Sequence, residues 1–364
     1  MTTLHRYLAR HFLLRFLLVL LGISLAVIAF ELTEALGSDE WTFETVSRYA
    51  LLRLPSLMAQ LLPIATLIAG LLTVGELLRH RELVAAWAAG LSQYRLLTGM
   101  LPLLLLLGLF HLLLSDQVVP RTTDQLRQWG IGEFRGAGLL SSDGSHLWLR
   151  SGDDILRIAT RGLRDDRLRD ITIFRRNQEG QLLERLDAPL AEREAEGWRL
   201  RNVVRHETEP YRQSREDSLL WRGEVEVEQL HLVARPPREL ALADLWDLWR
   251  SEGYGQRPQE LYATWVHARI AQFFAAPLLL CLAFALGQGW RRTGELTRLM
   301  LTGLALGFGF FIVNGISIAL GEVGFLPPLL AAWAPPLLLA SVVAHLLLKP
   351  EAAAPISSGL IRRS

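Results

Sequence analysis

Apolar residues run almost unbroken through six stretches of this 364-residue chain: Phe12–Leu32, Pro55–Val74, Leu96–Ser115, Val266–Leu286, Leu299–Leu320 and Phe325–Leu348. Each approaches the roughly 20 residues a helix needs to cross the hydrocarbon core of a bilayer, so the pattern predicts six membrane spans. Pro63, Pro102, Pro277, Pro335 and Pro336 fall inside them. Spanning helices tolerate this when neighbours satisfy the carbonyls that proline frees. The first span follows His5, Arg6, Arg10, His11 and Arg15 and precedes Glu31 and Glu34. It is longer than the apolar region of a cleavable signal peptide, about 7–15 residues, and reads as an uncleaved span.

Two polar stretches interrupt the spans with patterns of their own. Between spans two and three, Arg79, His80, Arg81 and Glu82 precede Leu83, Val84, Trp87 and Leu91 at helical spacing. That predicts a short amphipathic helix at about residues 79–92, broken at Gly90 and Ser92, lying along the membrane face against lipid or a protein partner. Between spans three and four lies a longer polar region whose runs alternate with a period near two: His146–Arg150, Ile155–Ala159, Asp170–Phe174, Trp198–Val204 and Glu224–Glu228. Turn clusters separate them, including Ser142–Ser145, Ser151–Asp154 and Asn177–Gly180. Such spacing predicts a sandwich or jelly roll. A helix over Leu240–Arg250, with Leu242, Leu245, Trp246 and Trp249 on one side, leads back towards span four. It suits either the membrane interface or packing against the β domain.

The expected fold class is therefore a membrane α-helical protein of six transmembrane helices with an inserted extracytoplasmic all-β, jelly-roll-like domain. The expected division is residues 1–119 for spans one to three, 120–257 for the β domain, 258–349 for spans four to six and 350–364 for a tail.

Charge orients this arrangement. The ends that hold Arg6, Arg10, Arg15, Arg79, Arg81, Arg95, Arg291, Arg292, Arg298, Lys349, Arg362 and Arg363 carry only Glu76, Glu82, Glu295 and Glu351 as acids. The opposite ends hold Glu31, Glu34, Asp39, Glu40, Glu44, Asp116 and Glu322 against Arg48 and Arg53. Basic residues stay on the cytoplasmic side, so both termini and the 79–92 helix are expected there and the β domain outside. The formal net charge of +1 averages two unlike halves, since 23 of 38 basic and 25 of 37 acidic residues lie between Val119 and Arg257. It points to no nucleic-acid partner. Cys281 is the single cysteine, in an apolar run, and leaves no internal disulfide or thiolate metal cluster to expect.

Chemistry-bearing motifs are missing. There is no Gly-x-x-x-x-Gly-Lys-Ser/Thr loop for ATP, no His-Glu-x-x-His and no Gly-x-Ser-x-Gly. Within the spans, Asn314 with Ser317 one turn on, and His111, are polar where polarity is costly. They suit hydrogen bonds to a neighbouring helix or contact with a substrate. Glu31 and Glu34 form no proton relay with an evident partner. Transport or scaffolding, with energy supplied by another chain, fits this set better than catalysis.

Several segments in this order resemble the permease subunits of the lipopolysaccharide-export ABC transporter, the LptF/LptG (YjgP/YjgQ) family, over nearly the whole length. They are Arg6-Tyr-Leu-Ala-Arg10, Arg81-Glu-Leu-Val-Ala-Ala-Trp-Ala-Ala-Gly-Leu-Ser92, Pro120, Trp148, Ile171-Thr-Ile-Phe174 and Trp198-Arg-Leu200. Arg269-Ile-Ala271 with Pro277 and Leu326-Pro-Pro328 with Trp333 and Pro335 complete the set. The Trp148 strand is more similar to the LptG type. The resemblance implies a permease that extracts lipopolysaccharide from the inner membrane, partnered by a sister permease (LptF-like), a dimeric ABC ATPase (LptB-like) and a periplasmic bridge protein (LptC-like). It implies no cofactor in this chain, ATP and Mg being used by the ATPase. By the same analogy the 79–92 helix is a coupling helix. Arg79, Arg81, Glu82, Leu83, Trp87 and Gly90 would contact the ATPase, with Glu82 the charged contact and Leu83 with Trp87 the apolar seat. Phe30, Glu34, Arg48, Arg53, Asn314 and Ser317 are the expected lipid-facing set. One departure stands out: an anionic lipid favours cations at the outer end of span one, where this chain has Glu31 and Glu34. A permease for lipoprotein or another envelope lipid, a bridge scaffold and a lipid-modifying enzyme are the alternatives.

Overall fold

A computed structural model describes residues 3–35, 42–129, 146–151, 153–159, 167–177, 179–194, 196–208, 211–223, 232, 235–250, 258–289 and 296–348. Among the described residues, six helical stretches are long and apolar enough to cross a membrane. They comprise α1 (Thr3–Ala35), α2 (Phe43–Arg79), a third built from α5 (Leu101–Leu113), a π turn (Leu114–Val118) and α6 (Val119–Trp129), then α8 (Gln259–Gly289), α9 (Leu296–Glu322) and α10 (Pro328–Leu348). Short helices α3 (Glu82–Ala88) and α4 (Gln93–Gly99) join the second and third spans, and α7 (Leu242–Arg250) precedes the fourth.

Local chemistry sets several boundaries. Thr42 begins α2 through a capping box: its hydroxyl accepts from Thr45 N while the Thr45 hydroxyl accepts from Thr42 N. The helix therefore starts a dozen residues before the apolar stretch that announces it. The third span also runs past its apolar segment, through Pro120 to Trp129. The polar region following Ser115 thus begins as helix, and the first strand among the described residues begins at His146.

Each proline inside a span leaves the carbonyl four residues earlier without its helical donor. The bundle meets three of these carbonyls in different ways. Pro63 frees Ala59 O, and His111 of α5 donates to it from Nε2 (3.0 Å). Pro335 frees Ala331 O, which accepts from Ser317 Oγ of α9 (2.8 Å). Pro277 frees Phe273 O, and α5 lies so close there that a Cβ on Gly108 would stand 2.5 Å from that oxygen. Glycines set the other close approaches: Gly70 lies against Leu280 and Ala283, Gly303 against Leu71, and Gly307 against Leu67. Small residues let helix backbones approach where lipid supplies no hydrophobic drive for association. Leu62, Leu67, Leu71, Leu279, Leu280 and Phe284 form the fully buried centre.

The β domain is one antiparallel sheet in the order β1 (His146–Ser151), β2 (Asp154–Ala159), β3 (Arg167–Arg176), β4 (Leu182–Glu194), β5 (Gly197–Glu207), β6 (Arg212–Trp221). The expected strand at Glu224–Glu228, the turn at Ser142–Ser145 and the tail from Pro350 lie outside the described residues. The sheet curls on itself. Trp221 at the end of β6 donates its indole N–H to Asp154 Oδ2 at the start of β2 (3.0 Å). In a flat sheet those strands would stand about 19 Å apart at ordinary strand spacing. The concave side holds Leu156, Ile158, Ile171, Ile173, Leu186, Trp198 and Leu200. Leu245 and Leu248 of α7 and Tyr262 and Val266 of α8 close it, so α7 packs into the domain. On the other side charges pair across strands, as where Arg201 and Arg167 flank Glu192 (3.2 and 3.7 Å). Arg199 hydrogen-bonds Glu194 and holds its carboxyl below the usual carboxylate range.

Polar ties lock sheet to bundle at this end. Asp116 in the π turn accepts from Leu242 N at the start of α7 (2.6 Å). Asp124 and Arg127 of α6 pair with Arg235 (2.8 Å) and Glu239 (2.5 Å). Arg269 of α8, buried, donates to the carbonyls of Ser115 (3.0 Å), Arg238 (3.0 Å) and Leu240 (2.8 Å).

Candidate functional site

The hairpin between the second and third spans is built by two left-handed residues around one short helix. Arg81 turns the chain at φ 59°, strained for a side chain with a Cβ. Gly90 turns it back at φ 84°, where glycine adds no strain. Ser92 then caps α4, its hydroxyl accepting from Arg95 N (3.3 Å). Between the turns, α3 presents two unlike faces.

Its apolar face points into the bundle. Leu83 is 2% exposed within the span core. Trp87 packs beside it and donates from its indole to Gln93 Oε1 (3.1 Å), and buried Gln93 in turn donates to Phe284 O of α8 (2.7 Å). Leu83 of the expected apolar seat is thus taken by the chain's own core, which corrects its reading, while half-buried Trp87 sits at the core's edge. Outward stand Arg79, His80, Arg81, Glu82, Ala85, Ala88, Ala89 and Gly90. The surface on offer is a flat strip of small residues with a charged rim at one end. It suits close backbone approach by a partner helix or groove more than insertion into lipid.

The N-terminal turns of α1 cross this hairpin. Tyr7 Oη donates to Glu82 Oε1 (3.2 Å), and His5 Nε2 donates to Arg95 O (3.2 Å). A Cβ on Gly99 of α4 would collide with the His5 imidazole. Arg15 pairs with Glu76 at the end of α2. Apart from the nearness of basic residues to the first span, nothing in the residue pattern signals these contacts.

At the opposite end of the bundle the expected lipid-facing residues separate into groups. Phe30 is 67% exposed on α1. Glu31 is held by Arg53 through two hydrogen bonds (2.8 and 3.1 Å) and by Tyr49 Oη (3.1 Å), the charged side chains being 15% and 11% exposed. Arg53 is therefore spent on Glu31, which corrects its reading as a cation offered to a ligand. The same pair removes the difficulty of Glu31 beside an anionic lipid. Arg48 is exposed, its guanidinium over the Trp129 ring (4.6 Å to the centroid). Glu34 ends in helix, but its side chain lies outside the described residues. Ser317 is buried and engaged by Ala331 O, so it is a packing residue and no lipid contact. Asn314, half-buried, lines a cavity of about 410 Å³ with Gln60, His111, Trp265, Gln272 and Phe310. Gln272 packs on the His111 ring and donates to Ser115 Oγ (3.0 Å). The cavity opens between α9 and the α2–α8–α10 side of the bundle and joins apolar walls to a few amides, a lining suited to an amphipathic ligand.

Comparison with known proteins places this geometry. A family model described as "Lipopolysaccharide export system permease LptF/LptG" matches residues 6–349. The chain is 24% identical over 292 residues to the lipopolysaccharide export system permease protein LptG of Escherichia coli (strain K12), covering 79% of this chain and 81% of that protein. It is 25% identical over 348 residues to the LptG of Haemophilus influenzae, covering 92% and 95%.

Proposed function

The chain belongs to the LptF/LptG family of lipopolysaccharide export permeases, and from that premise we propose how its two ends divide the work. It is a multi-pass inner-membrane transporter subunit whose curated relatives carry the LptG name. In the proposed arrangement both termini and the α3 hairpin face the cytoplasm, and the curled sheet faces the periplasm. A separate dimeric ABC ATPase (LptB-like) hydrolyses ATP and docks on the outward strip of α3, with Arg79, Arg81 and Glu82 as its charged rim and Gly90 at its far edge. A sister permease (LptF-like) completes the transport path, and a periplasmic bridge protein (LptC-like) takes the lipid onward. Lipopolysaccharide meets the outer half of the bundle at Phe30, Arg48 and Asn314.

One observation carries the docking reading: the face of α3 left outward is charged and small, and the apolar face is already consumed. A helix lying on lipid would turn Leu83 and Trp87 outward instead. Rigid anchoring also suits transmission of a nucleotide-driven motion, since Trp87–Gln93–Phe284 O links the hairpin to α8.

The test is co-expression with the ATPase and the sister permease. Glu82→Ala should lower lipopolysaccharide release per ATP by about tenfold, the scale of a lost charged contact at an interface. Mass spectrometry of the purified complex should find lipopolysaccharide. An ATPase that fails to co-elute, together with a Glu82→Ala chain that couples normally, would remove the docking reading. Lipoprotein or phospholipid alone in the lipid fraction would redirect the substrate.

A further inference from the structure

The contacts of α1 with the hairpin reach beyond the bundle's own packing. Glu82 is exposed at the rim proposed to meet the ATPase, and long exposed carboxylates sample several rotamers at an entropic cost when one is fixed. Here one oxygen is already held: Tyr7 Oη donates to Oε1 (3.2 Å). The other oxygen stays available to a cationic partner group. Tyr7 is itself braced, its ring 4.0 Å from the His11 ring and its carbonyl accepting from His11 Nδ1 (3.0 Å). A single turn of α1 therefore reaches the hairpin at both ends, Tyr7 at the entry beside Glu82 and His5 at the exit beside Arg95 and Gly99. Arg15–Glu76 repeats the tie one step deeper.

We propose that Tyr7 is a positioning residue for Glu82: its hydroxyl fixes the carboxylate in the geometry the ATPase meets, and makes the first turns of α1 part of the docking face. The proposal rests on the docking reading above and adds to it a residue from a different span. Its physical content is preorganisation. A carboxylate fixed before association loses less side-chain freedom on binding, so removal of the hydroxyl weakens binding without touching the partner. A second consequence concerns motion. A displacement of the hairpin by the ATPase acts on α1 directly at Tyr7 and His5, not only through the α1–α2 packing.

A double-mutant cycle on the full permease pair in nanodiscs tests this, with Tyr7→Phe, Glu82→Ala and the double variant, and ATPase affinity as the readout. Tyr7→Phe removes one oxygen and keeps the ring on His11. It should weaken ATPase binding by roughly three- to tenfold, the range of an ordinary net hydrogen bond. It should add nothing in the Glu82→Ala background, where no acceptor remains for the hydroxyl. A merely structural Tyr7 would lower thermal stability and give losses that add to those of Glu82→Ala. Unchanged affinity in Tyr7→Phe with a clear loss in Glu82→Ala overturns the positioning role and leaves the docking reading intact. Additive losses overturn it as well. Unchanged affinity in Glu82→Ala itself removes the docking reading, and the proposal falls with it.

Discussion

At the scale of single residues, what the sequence hides is pairing. Arg53 reads from the chain as a cation free for an anionic lipid, and Glu31 as an acid out of place. They are 22 positions apart on two helices, and no periodicity relates them. Folding brings them together at 2.8 Å with little exposure, so each cancels the other. Removing one partner of a largely buried pair leaves an uncompensated charge, whereas removing both with apolar groups is far milder. Arg53→Met should therefore cost about 3 kcal/mol of stability, read as a lower melting temperature in detergent. The double variant Glu31→Leu/Arg53→Met should recover most of it. Lipopolysaccharide binding in the recovered double variant should match the parent if Arg53 only serves Glu31; a loss there would return Arg53 to the lipid. Charge beside a span end has few uses, and Arg79, Arg81 and Glu82 stand exposed there. A helical stripe reveals an apolar face without saying which body it faces, and Leu83 faces the chain's own core.

At the scale of elements, the six spans could be read directly from apolar length, while their extensions and contacts could not. Polarity rises at Ser115, where the apolar pattern ends the third span, yet helix continues through the π turn to Trp129. The reason is tertiary: Thr123 and Leu126 of α6 are buried, and Asp124 and Arg127 are paired. Pro63, Pro277 and Pro335 announce freed carbonyls in the sequence; a distant histidine and a distant serine donate to two of them, and a distant glycine lets a neighbouring helix close over the third. Gly108 is the least replaceable of the three. A Cβ there meets the backbone oxygen of Phe273 at 2.5 Å and its ring at 2.9 Å, and neither is the tip of a flexible chain. Gly108→Val should separate α5 from α8 and cost about 1–3 kcal/mol, the usual range for overpacking. Ser317→Ala, which only strands one carbonyl, should cost about 1 kcal/mol. Thermal melts of the two variants side by side give the order; a more damaging Ser317→Ala would contradict this account of the proline kinks.

At the scale of the whole molecule, one buried guanidinium joins the bundle to the segment that leads back from the β domain, beside the ion pairs and the α7 packing of the same joint. Arg269 sits on α8 and reaches Ser115 in the π turn and Arg238 and Leu240 in the segment entering α7. A single side chain thus ties the third span, the fourth span and the segment that returns from the inserted domain. The sequence marked Arg269 only as one residue of a family-like motif, because an arginine inside an apolar run says that it needs partners without naming them. Arginine suits the place: it keeps its charge when buried, and its planar fork reaches carbonyls in several directions, which lysine cannot match. The π turn adds a local irregularity of the kind found where helices serve a function beyond support. Arg269→Met keeps the bulk of the side chain and removes all three donations, and it should destabilise the joint by about 2–4 kcal/mol through unsatisfied buried carbonyls. Hydrogen exchange should then rise at Arg238–Leu242 and at Asp116–Val119 ahead of the span core. Because the α3 hairpin lies at the other end of the bundle, ATPase docking should persist in this variant while transfer of lipid to the bridge protein falls. Loss of docking and transfer together would mean that Arg269 holds the entire bundle and not the joint. Retention of both with unchanged exchange would mean that the packing of α7 and Tyr262 against the sheet holds the domain by itself.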